Sequence, residues 1–149
     1  MLKIGDKIPD ILGYDENGKV VKATDYRGKK LVIYFYPKDN TPGCTAQACN
    51  IRDNYDVLKT MNVEVIGVSV DDEKSHVKFI SKYNLPFRLI ADNNKTLVNL
   101  FGVYGKKKVM GRESIGTIRT TFIVSEDGII LKIINKVDTK NHVEQIINE

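Results

Sequence analysis

The stretch that most constrains this chain is Leu31-Val32-Ile33-Tyr34-Phe35-Tyr36, a run of apolar, β-branched and aromatic residues with no polar alternation. Such a run reads as a central strand buried on both faces, because a half-exposed strand would alternate with a period of two. It is far too short to span a bilayer. The run ends in Pro37-Lys38-Asp39-Asn40-Thr41-Pro42-Gly43, a turn sequence, and Cys44 follows it. Apolar residues at 44, 48, 51, 55 and 58 then form a helical stripe, so a helix is expected over Cys44–Lys59.

The remaining elements follow from periodicity and punctuation. Ile11-Leu12 and Val20-Val21 flank Asp15-Glu16-Asn17-Gly18 and read as an N-terminal hairpin. Val63–Val70 is a second strand, ended by Asp71-Asp72, which can cap a helix reaching about Tyr83. Phe87–Ala91 is a third strand, Asp92 can cap a helix through Leu100, and Gly102 suits the position after it. Thr120–Val124 and Ile129–Ile134 bracket Ser125-Glu126-Asp127-Gly128 as an antiparallel hairpin. Asn141 to Glu144 reads as a capping pair opening a last amphipathic helix. The order β-α-β-α-β-α-β-β-α implies a mixed central sheet flanked by helices, with the β-α-β then β-β-α order of a thioredoxin-like core and the hairpin as an extension.

With 149 residues and 42% apolar content, one domain spanning residues 1–149 is expected. The first twenty residues intersperse Lys3, Asp6, Lys7, Asp10, Asp15 and Glu16 and lack the apolar core of a signal peptide, so the expected location is cytoplasmic and no membrane partner is expected. The net charge of +4 is modest. Lys106-Lys107-Lys108, between Gly105 and Gly111, reads as a solvated loop; with no aromatic residues interleaved among those lysines, no nucleic-acid partner is expected.

Cys44 and Cys49 are the only cysteines. A thiol at a helix N-terminus meets unsatisfied backbone N–H groups and the positive end of the macrodipole, which favour the nucleophilic thiolate. On a regular helix Cys49 points roughly 140° away from Cys44, with the Cα atoms roughly 8–9 Å apart, beyond the roughly 7 Å a disulfide tolerates. A bond between them requires the first turns to unwind, which argues against a static staple and for a redox switch. A zinc site using both cysteines with His76 and His142 has no usual ligand spacing, and the two histidines are expected as surface residues of helices. No metal and no cofactor are expected.

Pro37-x-x-x-Thr41-Pro42-Gly43-Cys44, followed by Cys49 and Asn50-Ile51-Arg52-Asp53, resembles the active-site segment of the peroxiredoxins, and in particular the bacterioferritin-comigratory-protein or peroxiredoxin Q branch. Gly5–Asp10, Gly67–Asp71 and Arg119–Val124 extend the likeness over nearly the whole chain. The resemblance implies a thiol-dependent peroxidase acting in antioxidant defence on hydrogen peroxide or alkyl hydroperoxides. It makes Cys44 the peroxidatic nucleophile, Cys49 the resolving thiol, and Pro37, Thr41 and Arg119 the other active-site residues. It also implies thioredoxin or a similar dithiol protein as reductant, and a monomer or weak homodimer. Where many relatives carry Glu, this chain has Gln47.

The chemistry explains the residue types. Arg119 offers a permanent charge and planar N–H donors to thiolate and peroxide oxygens. Thr41 can accept from a peroxide O–H and donate toward the sulfur, and Pro37 and Pro42 stiffen the loop. Arg119 at a strand entrance could instead only oppose edge aggregation, and Thr41 could serve as a helix N-cap. Two other functions share the cysteines: a thioredoxin-like disulfide oxidoreductase, opposed by the four-residue gap and by the lack of Pro over Thr117–Phe122, and a redox-sensing module.

Overall fold

The computed structural model describes residues 1–148. At its centre lie five strands: β3 (Lys30–Phe35), β4 (Val63–Ser69), β5 (Arg88–Ala91), β8 (Thr120–Val124) and β9 (Ile130–Ile134). They form one mixed sheet in the order β5-β4-β3-β8-β9. β3, β4 and β5 run parallel, β8 is antiparallel to β3, and β9 is antiparallel to β8. The expected mixed α/β sheet and the N-terminal hairpin, β1 (Ile11–Tyr14) with β2 (Val20–Lys22), are both present.

Alternation along β3 divides the interior in two. Leu31, Ile33 and Phe35 face one core, shared with the hairpin residues Leu12 and Val21 and with Leu97, Val98 and Phe101 around α4 (Thr96–Leu100). Val32, Tyr34 and the following Tyr36 face the other, covered by α1 (Pro42–Asp53), α2 (Tyr55–Thr60), α3 (Glu73–Tyr83) and α5 (His142–Ile147). Cys44, Ala48, Ile51 and Leu58 belong to this second core, which places the cysteine helix against the sheet. The caps follow the carboxylates: Asp72 accepts from Ser75 N, and the buried Asp92 accepts from Leu97 N and Val98 N, while Gly102 takes φ +71° after α4.

Four expectations need correction. The single helix over Cys44–Lys59 is two helices broken at Asn54, whose side-chain amide donates to the Asn50 carbonyl at 2.8 Å. That carbonyl is the one the Asn54 backbone N–H would take in a continuous helix, so the side chain competes with the ladder and ends it. The lysine-rich segment is a hairpin, β6 (Tyr104–Val109) with β7 (Arg112–Thr117), turned by Met110 and Gly111, both at positive φ. Asn141 makes no side-chain cap on α5; its amide donates to Asp138 Oδ2 instead. His76 and His142 are both fully buried.

Candidate active site

The site forms where two neighbouring strands meet end to end. Phe35, the last residue of β3, pairs with Thr120, the first of β8, so the loop leaving β3 and the residue entering β8 share one rim of the sheet. The first supplies Cys44 and the second supplies Arg119. Cys44 lies in the first turn of α1 and is 2% exposed; Pro42 occupies the first helical position, where its missing N–H costs nothing. Arg119 Nη2 donates to Cys44 Sγ at 3.2 Å and Nη1 donates to Gln47 Oε1 at 2.7 Å. A Cβ on Gly43 would stand 3.3 Å from Arg119 Nη2, so glycine leaves the guanidinium its approach.

This geometry is specific. A guanidinium held by Gln47 from one side presents its second N–H group to the sulfur, in a site that water barely reaches. Gln47 is itself fully buried, and among the described residues its Nε2 has no hydrogen-bond partner. The amide therefore orients Arg119 without adding an anion beside the sulfur.

Thr41 precedes α1 in an extended conformation at the N-cap position, but its hydroxyl donates to the Lys38 carbonyl at 2.8 Å and makes no side-chain cap. Its proton is thus committed to the loop rather than to the sulfur, and its oxygen remains an acceptor. Pro37 opens the same loop, half-buried. Cys49 is a free thiol like Cys44, half-buried further along the same helix.

Both histidines have both ring nitrogens engaged within the protein. His76 sits 2.7 Å from Asp39 Oδ2 through Nδ1 and 2.8 Å from the Ile90 carbonyl through Nε2. His142 Nδ1 lies 2.9 Å from Gln145 Oε1, one turn further along α5, and its Nε2 lies 2.9 Å from Thr121 Oγ1 on β8. A polar residue on an amphipathic helix is usually solvated, which is why the sequence reading puts both outside. His76 instead takes the first position of the inward stripe His76-Phe79-Ile80-Tyr83.

A buried thiol in a helix's first turn, an arginine on its sulfur and a second thiol five residues on make up the candidate site. The AhpC/TSA family pattern matches residues 4–133, and the chain belongs to that family, as a thiol peroxidase of the peroxiredoxin kind. Within it the chain falls in the Bcp or peroxiredoxin Q branch. It is 42% identical to peroxiredoxin Bcp of Bacillus subtilis over 98% of this chain and 93% of that one. Against peroxiredoxin Bcp of Escherichia coli the identity is 40%, over 99% and 94%. A cysteine-to-serine variant of peroxiredoxin Q from Xylella fastidiosa superposes with a TM-score of 0.89 at 30% identity, covering 99% of this chain and 94% of that one. The bacterioferritin comigratory protein of Xanthomonas campestris, studied for alkyl peroxide reduction, gives 0.83 at 30% identity, covering 91% and 86%. Among the described residues no helix is long and apolar enough to cross a membrane.

Proposed function

We propose that Cys44 reduces hydrogen peroxide or an alkyl hydroperoxide, that Cys49 resolves the product, and that thioredoxin or a similar dithiol protein in the cytoplasm recycles the enzyme. The observation that carries this reading is the 3.2 Å contact between Arg119 Nη2 and a Cys44 sulfur buried in the first turn of α1. Cys44 thiolate attacks one peroxide oxygen in line; the S–O bond forms as the O–O bond breaks, and the other oxygen leaves with the electron pair and takes a proton from water. Arg119 stabilises the thiolate and then the charge spreading over the two oxygens. The Thr41 oxygen accepts from the peroxide O–H, while Pro37 holds the loop.

The product is Cys44 sulfenic acid. Cys49 thiolate attacks its sulfur; the S–S bond forms as the S–O bond breaks, and the departing hydroxide takes a proton from solvent to become water. Because both thiols lie on one continuous helix, this step requires α1 to unwind locally. The external dithiol then returns two electrons by thiol–disulfide exchange. A peroxide-consumption assay with a thioredoxin reducing system tests the reading: rapid loss of peroxide, one equivalent per dithiol oxidised, is expected. Exchange of protein disulfides without peroxide loss would favour the oxidoreductase alternative instead.

A further inference from the structure

The loop between β3 and α1 is held from one side by a single face of α3. Ser75 Oγ donates to Asp39 Oδ2 at 2.8 Å, and His76 Nδ1 lies 2.7 Å from the same oxygen. Two turns further on, Lys82 Nζ and Tyr83 Oη donate to Asn40 Oδ1 at 3.3 and 3.1 Å. Positions 75, 76, 82 and 83 share a face, since seven residues make nearly two turns. Phe79 fills the space between them, buried against Tyr36 and Tyr83. From the sheet, Tyr36 Oη donates to Asp39 Oδ1 at 2.6 Å, and Asp39 N donates to Asp71 Oδ2 at 2.8 Å.

The partners of His76 fix one of its protons. The Ile90 carbonyl can only accept, so Nε2 carries a proton. Asp39 also accepts from Ser75 and Tyr36, so one side chain of the loop gathers a helix hydroxyl, a phenol and the imidazole. Burial alone would lower its pKa, but Asp39, the Ile90 carbonyl and Asp71 together raise it above the ordinary histidine value. The charged and titratable groups around the pair are Asp39 from the loop, Asp71 from the turn after β4, Tyr36 from the sheet, and Lys78 and Lys82 of α3 beside Asp39. Burial and Asp39 hold the Tyr36 phenol well above its usual range, so it stays a donor.

We infer that the buried His76–Asp39 pair is a positioning device for the peroxidase reaction: it fixes the Pro37–Thr41 loop, and through it the first turn of α1, so that the Cys44 sulfur meets Arg119 in attacking geometry. The inference rests on Cys44 being the nucleophile. Neither His76 nor Asp39 touches the sulfur; both act through the backbone that carries it.

The test uses His76→Gln and Asp39→Asn in the full chain. The rate of Cys44 oxidation by hydrogen peroxide should fall by roughly tenfold or more in each, since small misplacements of a reacting atom are costly. Amide exchange at Asp39 and Asn40 should accelerate, while reduction of a preformed Cys44–Cys49 disulfide by dithiothreitol stays unchanged. In the unsubstituted protein, nitrogen NMR should show the His76 ring titrating above the ordinary histidine value, with the oxidation rate per thiolate declining as the ring loses its proton. Unchanged rate and exchange in both variants would overturn the inference. If a variant does not fold, an oxidation rate per thiolate that stays constant across the titration of the His76 ring overturns it in the unsubstituted protein. Failure of the Cys44 assignment is separable, because turnover surviving in Cys44→Ser would leave the exchange results untouched.

Discussion

The chain before Cys44 and the chain after it are held in different ways. Asp39 and Asn40 make side-chain contacts to Tyr36, Ser75, His76, Lys82 and Tyr83, so the loop is tied to both sheet and helix. From Pro42 to Cys49, the side-chain hydrogen bonds among the described residues are those of Cys44 and Gln47 to Arg119. Firm attachment resumes at Asn50, which donates to the Lys140 carbonyl and accepts from Val143 N, and at Arg52, which donates to the Tyr83 carbonyl. A segment with few bonds of its own, between two anchored ends, can open without dismantling either.

The largest expected effect removes what both regions serve. Cys44→Ser should abolish peroxide turnover with the fold intact, since a hydroxyl supplies no comparable nucleophile at neutral pH. Peroxide consumption and a circular dichroism spectrum check it; appreciable residual turnover would contradict the assignment.

Arg119→Met should slow the attack by about 10²-fold, the usual scale for losing one preorganised donor to a developing charge. Rapid-mixing measurement of Cys44 oxidation is the check, and an unchanged rate would reduce Arg119 to a strand-edge residue.

Cys49→Ser sharpens the comparison, because it leaves the first step alone. One equivalent of peroxide should still be consumed, and dimedone should then label Cys44 as sulfenic acid. Absence of that adduct would argue against a resolving role for Cys49.

The smallest effect concerns stability and separates the two histidines. Burial, reinforced by the Arg119 charge, lowers the His142 pKa against an opposing contribution from Gln145. A neutral group favoured in the fold contributes stability above its unfolded value of about 6.5, and this is lost as pH falls through the lower folded value. His76 has the opposite sign: its contribution is present below about 6.5 and is lost as pH rises through its raised folded value. Melting temperature against pH should therefore lose its acid limb partly in His142→Gln and its alkaline limb partly in His76→Gln. Identical profiles for the two variants would show that the rings do not differ in charge.

Much of this was legible in the chain. The unbroken run Leu31–Tyr36 announced a doubly covered strand, and it is the middle strand of the sheet. The β6–β7 hairpin escaped because its turn is Met110-Gly111 where Asn-Gly would be the usual signal, and because Lys106, Lys108, Glu113, Ser114 and Ile115 are all exposed, so no buried face imposes a period of two. The break at Asn54 escaped because the apolar stripe runs through it; the cause is one side-chain bond to Asn50. In the site, Cys44 and Cys49 were readable from local spacing. Arg119, 75 residues away from Cys44, entered only through family likeness. Asp39 and His76 had no local signal, since burial of such a pair depends on what the fold lays over it.

The most direct measurement is amide hydrogen exchange along α1 in the reduced and the peroxide-oxidised protein. Residues from Cys44 to about Cys49 should lose protection when the Cys44–Cys49 bond forms, while β3 and the Asp39–Asn40 loop keep theirs. An oxidised protein with the same protection along α1 as the reduced one would contradict the account, because two thiols on an intact helix cannot close a disulfide.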